Sequence, residues 1–203
     1  MKVCVVVLAA GASRRFGSNK LLAPLDGKPV LQHVLDAVAG AGHRDVVVVL
    51  GDARTVIEAR IAWRSERRVV NDRPTDGLSS SLRVGLDAAA EDRETDAVLV
   101  VLGDQPAIRA SVIAAVCSAA EMLSRPIVRV RYAEDEAPNP VLLRRSVWAL
   151  AAGLDGDRGV GPLLASRPEL VAEVAAPGHN PDVDTAADLA RIMGRVPGAD
   201  HVH

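Results

Sequence analysis

Lys2-Val3-Cys4-Val5-Val6-Val7-Leu8, running at once into Ala9-Ala10-Gly11-Ala12-Ser13-Arg14-Arg15-Phe16-Gly17-Ser18-Asn19-Lys20, decides the fold. From Val3 to Leu8 the residues are apolar with almost no polar alternation, the pattern of a strand covered on both faces. Such a strand belongs to a parallel sheet with helices on either side. The small residues Gly11, Ala12 and Ser13 then let backbone N–H groups approach an anion closely. Arg14, Arg15 and Lys20 add positive charge to the same loop. In open α/β sheets ligands bind outside the carboxyl ends of the strands, so this loop stands where a phosphate would be held.

Working outward, Asp45–Leu50 and Ala97–Leu102 repeat the Val- and Leu-rich strand pattern. Between them lie amphipathic stretches, Val30–Ala41, Thr55–Ile61, Ser79–Ala90 and Ala110–Leu123, which read as helices. The alternation predicts a three-layer α/β/α domain with a mostly parallel central sheet. In the second half, Ile127–Tyr132, Val141–Arg144 and Leu170–Val174 read as strands. Val147–Leu154, Gly161–Ala165 and Thr185–Met193 read as helices. Pro138 and Pro140 flank Asn139, and proline is awkward in a central strand, so an edge or crossover is expected there. No internal repeat is visible. One domain over residues 1–194 is expected, followed by a loosely ordered tail, 195–203, that carries His201 and His203.

The composition narrows the function. With 203 residues, 49% hydrophobic and 25% charged, the chain has the balance of a soluble globular protein with a sizeable core. Aromatics are 2% and the net charge is −2, so neither stacking platforms nor a basic field for nucleic acid is on offer. Arg64, Arg67 and Arg68 read as a solvated face. The apolar N-terminal run ends at Ala10, too short to span a membrane, and no basic leader precedes it; the expected compartment is the cytoplasm. Cys4 and Cys117 sit in apolar runs without metal-ligand spacing and read as buried hydrophobes.

Two common phosphate loops are excluded. A P-loop ends in Gly-Lys-Ser/Thr, whereas Gly17 is followed by Ser18, Asn19 and then Lys20. A dinucleotide fingerprint needs G-x-G-x-x-G, and Gly11-Ala12-Ser13 lacks the second glycine, which removes a nicotinamide enzyme from the readings.

The spacing of this loop resembles the signature Leu-Ala-Ala-Gly-x-Ser-x-Arg-Phe-Gly-x-x-Lys of the molybdenum-cofactor nucleotidyltransferase family, and within it the molybdopterin cytidylyltransferases. The resemblance covers nearly the whole chain and implies a Rossmann-like, nucleotide-diphospho-sugar transferase type of fold. It implies transfer of CMP from CTP to the phosphate of molybdopterin, with Mg2+ as cofactor and pyrophosphate as the leaving group. It further implies a molybdoenzyme or chaperone as protein partner. Leu8, Ala9, Ala10, Gly11, Ala12 and Ser13 would cradle the nucleotide, and Arg15 and Lys20 would act on its phosphates. Ala10 stands where guanylyl-transferring relatives have Gly; the extra methyl narrows the pocket and favours a pyrimidine.

Later motifs follow in family order. Gly103-Asp104-Gln105-Pro106 closes the third strand, and a carboxylate there suits a magnesium ligand, although a turn-forming Asp before Pro106 is the plainer alternative. In Pro181-Asp182-Val183-Asp184-Thr185, Asp184 or Thr185 could cap the last helix. By resemblance Asp184 completes the metal site with Asp104, and Asp182 stands in reserve. Asn71-Asp72-Arg73-Pro74-Thr75-Asp76-Gly77-Leu78-Ser79-Ser80-Ser81-Leu82 resembles the nucleobase segment, with Asn71, Gly77 and Ser80 as nucleotide-binding candidates; capping by Ser79 is the alternative. Gly156-Asp157-Arg158-Gly159 resembles a loop of the pterin-using enzymes, which makes Arg158 an acceptor-phosphate candidate. Asn139-Pro140-Val141 stands where the cytidylyltransferases carry His-Pro-Val, so Asn139 is an acceptor candidate and also a departure from the family. That departure keeps a sugar or alcohol phosphate as an alternative acceptor, beside GTP as an alternative donor and a non-catalytic nucleotide-binding, cofactor-delivery protein.

Overall fold

The computed structural model describes residues 1–11, 13, 16–134 and 139–194. Ala12, Arg14, Arg15, Pro138 and the tail 195–203 lie outside the described residues.

The chain forms β1 (Val3–Ala9), a short hairpin of β2 (Pro24–Leu25) and β3 (Lys28–Pro29), α1 (Val30–Gly40), β4 (Val46–Leu50) and α2 (Arg54–Arg60). It continues through β5 (Arg67–Val70), α3 (Leu78–Ala90), β6 (Ala97–Leu102), α4 (Ala110–Met122) and β7 (Ile127–Tyr132). It ends with β8 (Val141–Arg144), α5 (Trp148–Ala152), α6 (Gly161–Ser166), β9 (Val171–Ala176) and α7 (Ala186–Met193). The order across the seven-stranded sheet is β5-β4-β1-β6-β8-β7-β9. Within this sheet every strand pair is parallel except the two that involve β8.

Successive side chains of a strand point to opposite faces, and β1 shows what that does to an all-apolar run. Val5, Val7 and Ala9 enter one cluster with Leu31, Leu35 and Val38 of α1 and Ile113 and Val116 of α4. Cys4, Val6 and Leu8 enter the other with Leu82 and Leu86 of α3, Trp148 of α5 and Leu163 of α6. Both faces are therefore dry, and the three layers expected from the alternation are present. A smaller cluster seats Leu189 and Ile192 of α7 against Leu25, Val30 and Val183.

Three local features depart from the sequence reading. Arg64, Arg67 and Arg68 are exposed as expected, but the stretch was not read as a strand: it is edge strand β5, paired with β4 from Val47↔Arg67 to Leu50↔Val70. Arg67 reaches Glu91 and the carbonyl of Ala88, so charge guards the open edge of the sheet. The β2–β3 hairpin went unread, although Asp26 and Gly27 at its turn, with φ of 47° and 78°, form a familiar Asp-Gly hairpin signal. Finally, Val141–Arg144 is neither edge nor crossover but an interior strand, antiparallel to both β6 and β7. Pro140 precedes its first residue, so the ladder loses no donor from within the strand, and the Pro140 carbonyl still accepts from the Val130 N–H (3.3 Å). Among the described residues no helix is long and apolar enough to cross a membrane.

Candidate active site

β1, β4 and β6 are adjacent and parallel, so their carboxyl ends open on one edge. The residues that follow them, Ala10-Gly11, Asp52 and Asp104, line a single cleft of about 460 Å³. Leu8, Ala9 and Ser13 of the first loop are in its wall as well.

The loop is closed by its own side chains. Ser13, with φ of 50°, accepts at Oγ from the Lys20 N–H (3.1 Å), and its carbonyl accepts from Phe16 (3.0 Å). Asn19 caps the single 3-10 turn Lys20–Leu22 by accepting from the Leu21 N–H (3.1 Å). This fixes the Lys20 backbone and directs its side chain inward. Lys20 Nζ lies 2.6 Å from Asp104 Oδ2 and 2.8 Å from Asp184 Oδ1. Burial alone would lower the pKa of that ammonium, but the carboxylates, Asp104 foremost, outweigh it and hold the pKa above its ordinary value.

Asp184 arrives from far along the chain and is placed by three contacts. Val183 is fully buried, and its N–H donates to the Asp104 carbonyl (2.9 Å). Gln105 Nε2 donates to Asp182 Oδ1 (2.9 Å), while Gln105 Oε1 accepts from buried Asn180 Nδ2 (3.1 Å). Thr185, not Asp184, caps α7, in a capping box with Asp188. Asp182 is open to the cleft on one side yet crowded on the others; desolvation, then the Asp104 carboxylate, push its carboxyl up to about 6.

Asp104 and Asp184 are hard oxygen donors that already share one cation, and two carboxylates are what magnesium takes when phosphates and waters fill its other positions. The donor set thus fits a divalent ion that binds together with a phosphorylated substrate. A caging cluster of three or more ligating side chains is not formed among the described residues.

On the far wall the three serines of α3 turn three ways, as a helix phase of about 100° per residue requires. Ser79 Oγ donates to the Gly156 carbonyl (2.8 Å) instead of capping the helix, whose N-cap is Gly77. Ser80 Oγ donates to the Gly77 carbonyl (2.8 Å) and accepts from Asn71 Nδ2 (2.8 Å). Buried Asn71 also donates to Ser81 Oγ (3.0 Å) and accepts from the Arg73 N–H (2.9 Å). Asn71 and Ser80 therefore stand behind the wall, and Gly77, Thr75 and Ser81 stand in it. Gly77 has φ of 91°, and a Cβ there would lie 2.5 Å from the Gly156 carbonyl carbon, so only glycine lets the two loops touch.

Beyond Leu8, Leu78 and Leu102 lies a second cavity of about 310 Å³. Leu82, Val100 and Val160 give it an apolar lining, and among the described residues Asn139 and Arg158 are its only amide and guanidinium. Asn139 reaches this edge because β8 is reversed, so that its beginning, not its end, adjoins the end of β6.

Four polar residues of the described wall were not among the sequence candidates: Asp52, Thr75, Ser81 and Asp157. For Asp52 the signal was there, since Leu50-Gly51-Asp52 repeats Leu102-Gly103-Asp104 at the end of a like strand. Asp157 lay inside a motif whose arginine drew attention first.

Comparison with known proteins agrees with this architecture. Nicotine blue oxidoreductase from Paenarthrobacter nicotinovorans is 30% identical over 201 residues, covering 93% of this chain and 95% of that protein. Rv0371c from Mycobacterium tuberculosis H37Rv superposes with a TM-score of 0.87 at 32% identity, over 96% of this chain and 98% of that one. Its complex with manganese gives a TM-score of 0.84 at 30% identity, over 97% and 100% of the two chains. A nucleotidyl transferase from Methanothermobacter thermautotroptrophicus gives 0.78 at 25% identity, over 95% and 96%. Residues 5–173 match the MobA-like NTP transferase domain, so the chain belongs to that nucleotidyltransferase family.

Proposed function

We propose that this nucleotidyltransferase moves CMP from CTP to the terminal phosphate of molybdopterin, with release of pyrophosphate. The observation that carries the reading is the shared wall of Leu8, Leu78 and Leu102 between a charged cleft and an apolar cavity that Asn139 and Arg158 also line. A flat heterocycle bearing a phosphate matches that second cavity; a sugar would leave most of its hydroxyls facing leucine and valine.

In the proposed reaction an ionised acceptor phosphate oxygen attacks the α-phosphorus in line. The new P–O bond forms as the bond to the β-phosphate breaks, and pyrophosphate takes the electron pair; no general base is needed. Asp104 and Asp184 would hold Mg2+, which supplies charge neutralisation at the α-phosphate. Lys20, at the base of the cleft, would stabilise the charge that develops on pyrophosphate, and Arg15 is assigned the same task by its place in the loop. Ala10 and Gly11 line the nucleotide's path, with Ala12 and Ser13 next in the loop. Gly77 and Ser81 face the base, while Asn71 and Ser80 hold them from behind. Since Asn71 donates into Ser81 Oγ, the Ser81 proton is turned away from Asn71 and can meet an acceptor on a pyrimidine edge. Arg158 and Asn139 would orient the acceptor.

The similarity to a protein named as an oxidoreductase raises a second reading, hydride transfer in the same cleft, against which the missing second glycine of Gly11-Ala12-Ser13 already stands. A hydride donor has no use for Asp104 and Asp184 around a cation, which favours nucleotidyl transfer. One assay separates the readings: pyrophosphate release from CTP or GTP with molybdopterin, a sugar phosphate or an alcohol phosphate, with and without Mg2+, beside NADPH oxidation. Release that needs CTP, molybdopterin and Mg2+ is the expected result. Release with a sugar phosphate, a preference for GTP, or NADPH oxidation without pyrophosphate would overturn it, and inertness toward every pair would point to a delivery protein.

A further inference from the structure

We propose that Lys20 is also a positioning residue for the carboxylate pair: its ammonium is an internal cation that holds Asp104 and Asp184 together and that a divalent metal must displace. The proposal rests on reading Asp104 and Asp184 as metal ligands.

Nζ contacts one oxygen of each carboxylate, at 2.6 and 2.8 Å, and only 12% of the lysine side chain is exposed. The ammonium therefore substitutes protein oxygens for most of its water. A divalent ion ligated by the same two oxygens at about 2.1 Å would lie within about 5 Å of Nζ, whichever side it approached from. Two cations at that range in a half-buried site repel strongly, so both cannot keep their places.

The side chain is built to move while its root stays fixed. The Lys20 N–H is held by Ser13 Oγ, and Asn19 caps the turn that Lys20 begins. Beyond the Cα, four methylenes give the ammonium freedom to swing. Gly11 and Ser13 line the same cleft and mark where the triphosphate is proposed to lie. A metal arriving alone expels an ammonium that has no new anion to meet. A metal arriving with a triphosphate releases it onto a phosphate. Metal and nucleotide should therefore strengthen each other's binding, with Lys20 as the carrier of the coupling.

The test is Mn2+ titration, read by electron paramagnetic resonance, on nucleotide-free protein and again with CTP but no acceptor. Wild type is compared with Lys20→Met, Lys20→Gln, Lys20→Arg and the double variant Asp104→Asn/Asp184→Asn, each checked by thermal melting in chelator. Lys20→Met and Lys20→Gln are expected to bind free Mn2+ about tenfold tighter than wild type, a typical size for a coupling between sites. Lys20→Arg should stay near wild type, and the gain in Mn2+ affinity that CTP confers should shrink in the Met and Gln variants. Unchanged or weaker Mn2+ binding in both neutral variants overturns the displacement proposal. If the double Asn variant still binds Mn2+ as wild type does, the metal-site reading itself fails, and the two failures are told apart.

Discussion

The Val183 N–H donates to the carbonyl of Asp104 over 2.9 Å, joining two segments that the chain keeps almost eighty residues apart. Through it the carboxylate that ends β6 and the one that precedes α7 share a rigid frame. Replacing Asp104 or Asp184 by Ala should lower turnover by about 10²–10³ with little change in melting temperature, as for other preorganised charges. Asp182→Asn, whose amide oxygen can still accept from Gln105, should cost far less. Steady-state pyrophosphate release checks all three, and a larger loss at Asp182 than at Asp184 would exchange their roles.

Arg158 stands in the second cavity and Lys20 in the first. Arg158→Ala should therefore raise the KM of the acceptor by about 10–100-fold, the worth of a hydrogen bond to a charged group, and leave the KM of CTP nearly unchanged. Varying each substrate at saturation of the other reads the split directly. An equal rise in both constants would place Arg158 in the nucleotide site.

Neighbouring hydroxyls of α3 should fail in different ways. Ser81→Ala removes a hydroxyl from the cleft wall and should weaken CTP binding with a small effect on melting. Ser80→Ala leaves Asn71 and the Gly77 carbonyl short of a partner and should lower the melting temperature first. Calorimetric titration with CTP, set beside thermal melts, separates the two effects.

Gly77→Ala combines positive φ with a collision against Gly156. The expected loss is about 2 kcal/mol or more, or roughly 4–8 °C in melting temperature for a chain of this size. A melt within a degree of wild type would mean that the loops part at no cost.

Asp36 offers a pH test away from the cleft. Burial would raise its pKa, but hydrogen bonds from Arg64, Lys28 and Gln32 outweigh this and bring the carboxyl down to about 2. A depressed carboxylate stabilises the fold above its unfolded pKa and loses that contribution as the pH falls through the folded one. The melting difference between wild type and Asp36→Asn should be full near neutrality, shrink below about pH 4 and vanish near about pH 2. A difference that grows toward acid would reverse the assignment.

Much of the architecture was legible because burial on both faces writes itself into composition. Val3–Ala9, Val46–Leu50 and Ala97–Leu102 are within a residue or two of their expected bounds. Edge strand β5 was not legible, since Arg67 and Arg68 face solvent and carry no apolar pattern. At the cleft, Gly11, Ser13 and Asp104 could be placed on one edge because each follows a buried parallel strand, whereas Asp184, far along the chain, was reached only through the family resemblance. A run of three serines offers no such handle: which hydroxyl meets the cleft depends on helix phase and on buried Asn71. The reversed β8 was hidden for a related reason, because proline ahead of a strand and proline within one look alike until the pairing is known.

That reversal puts the two ends of β8 on opposite edges of the sheet, one near the cleft and one away from it. Val141, at the start of β8, lies beside Val100 near the cleft end of β6, whereas the chain leaving β8 at Arg144 emerges at the opposite edge, beside Asp96. Sequence added just before Asn139 would extend the rim of the second cavity and, on the proposed function, retune what is admitted. Sequence added after Arg144, such as a tag, a reporter or a fused carrier, would grow away from the chemistry and leave both substrates free to enter.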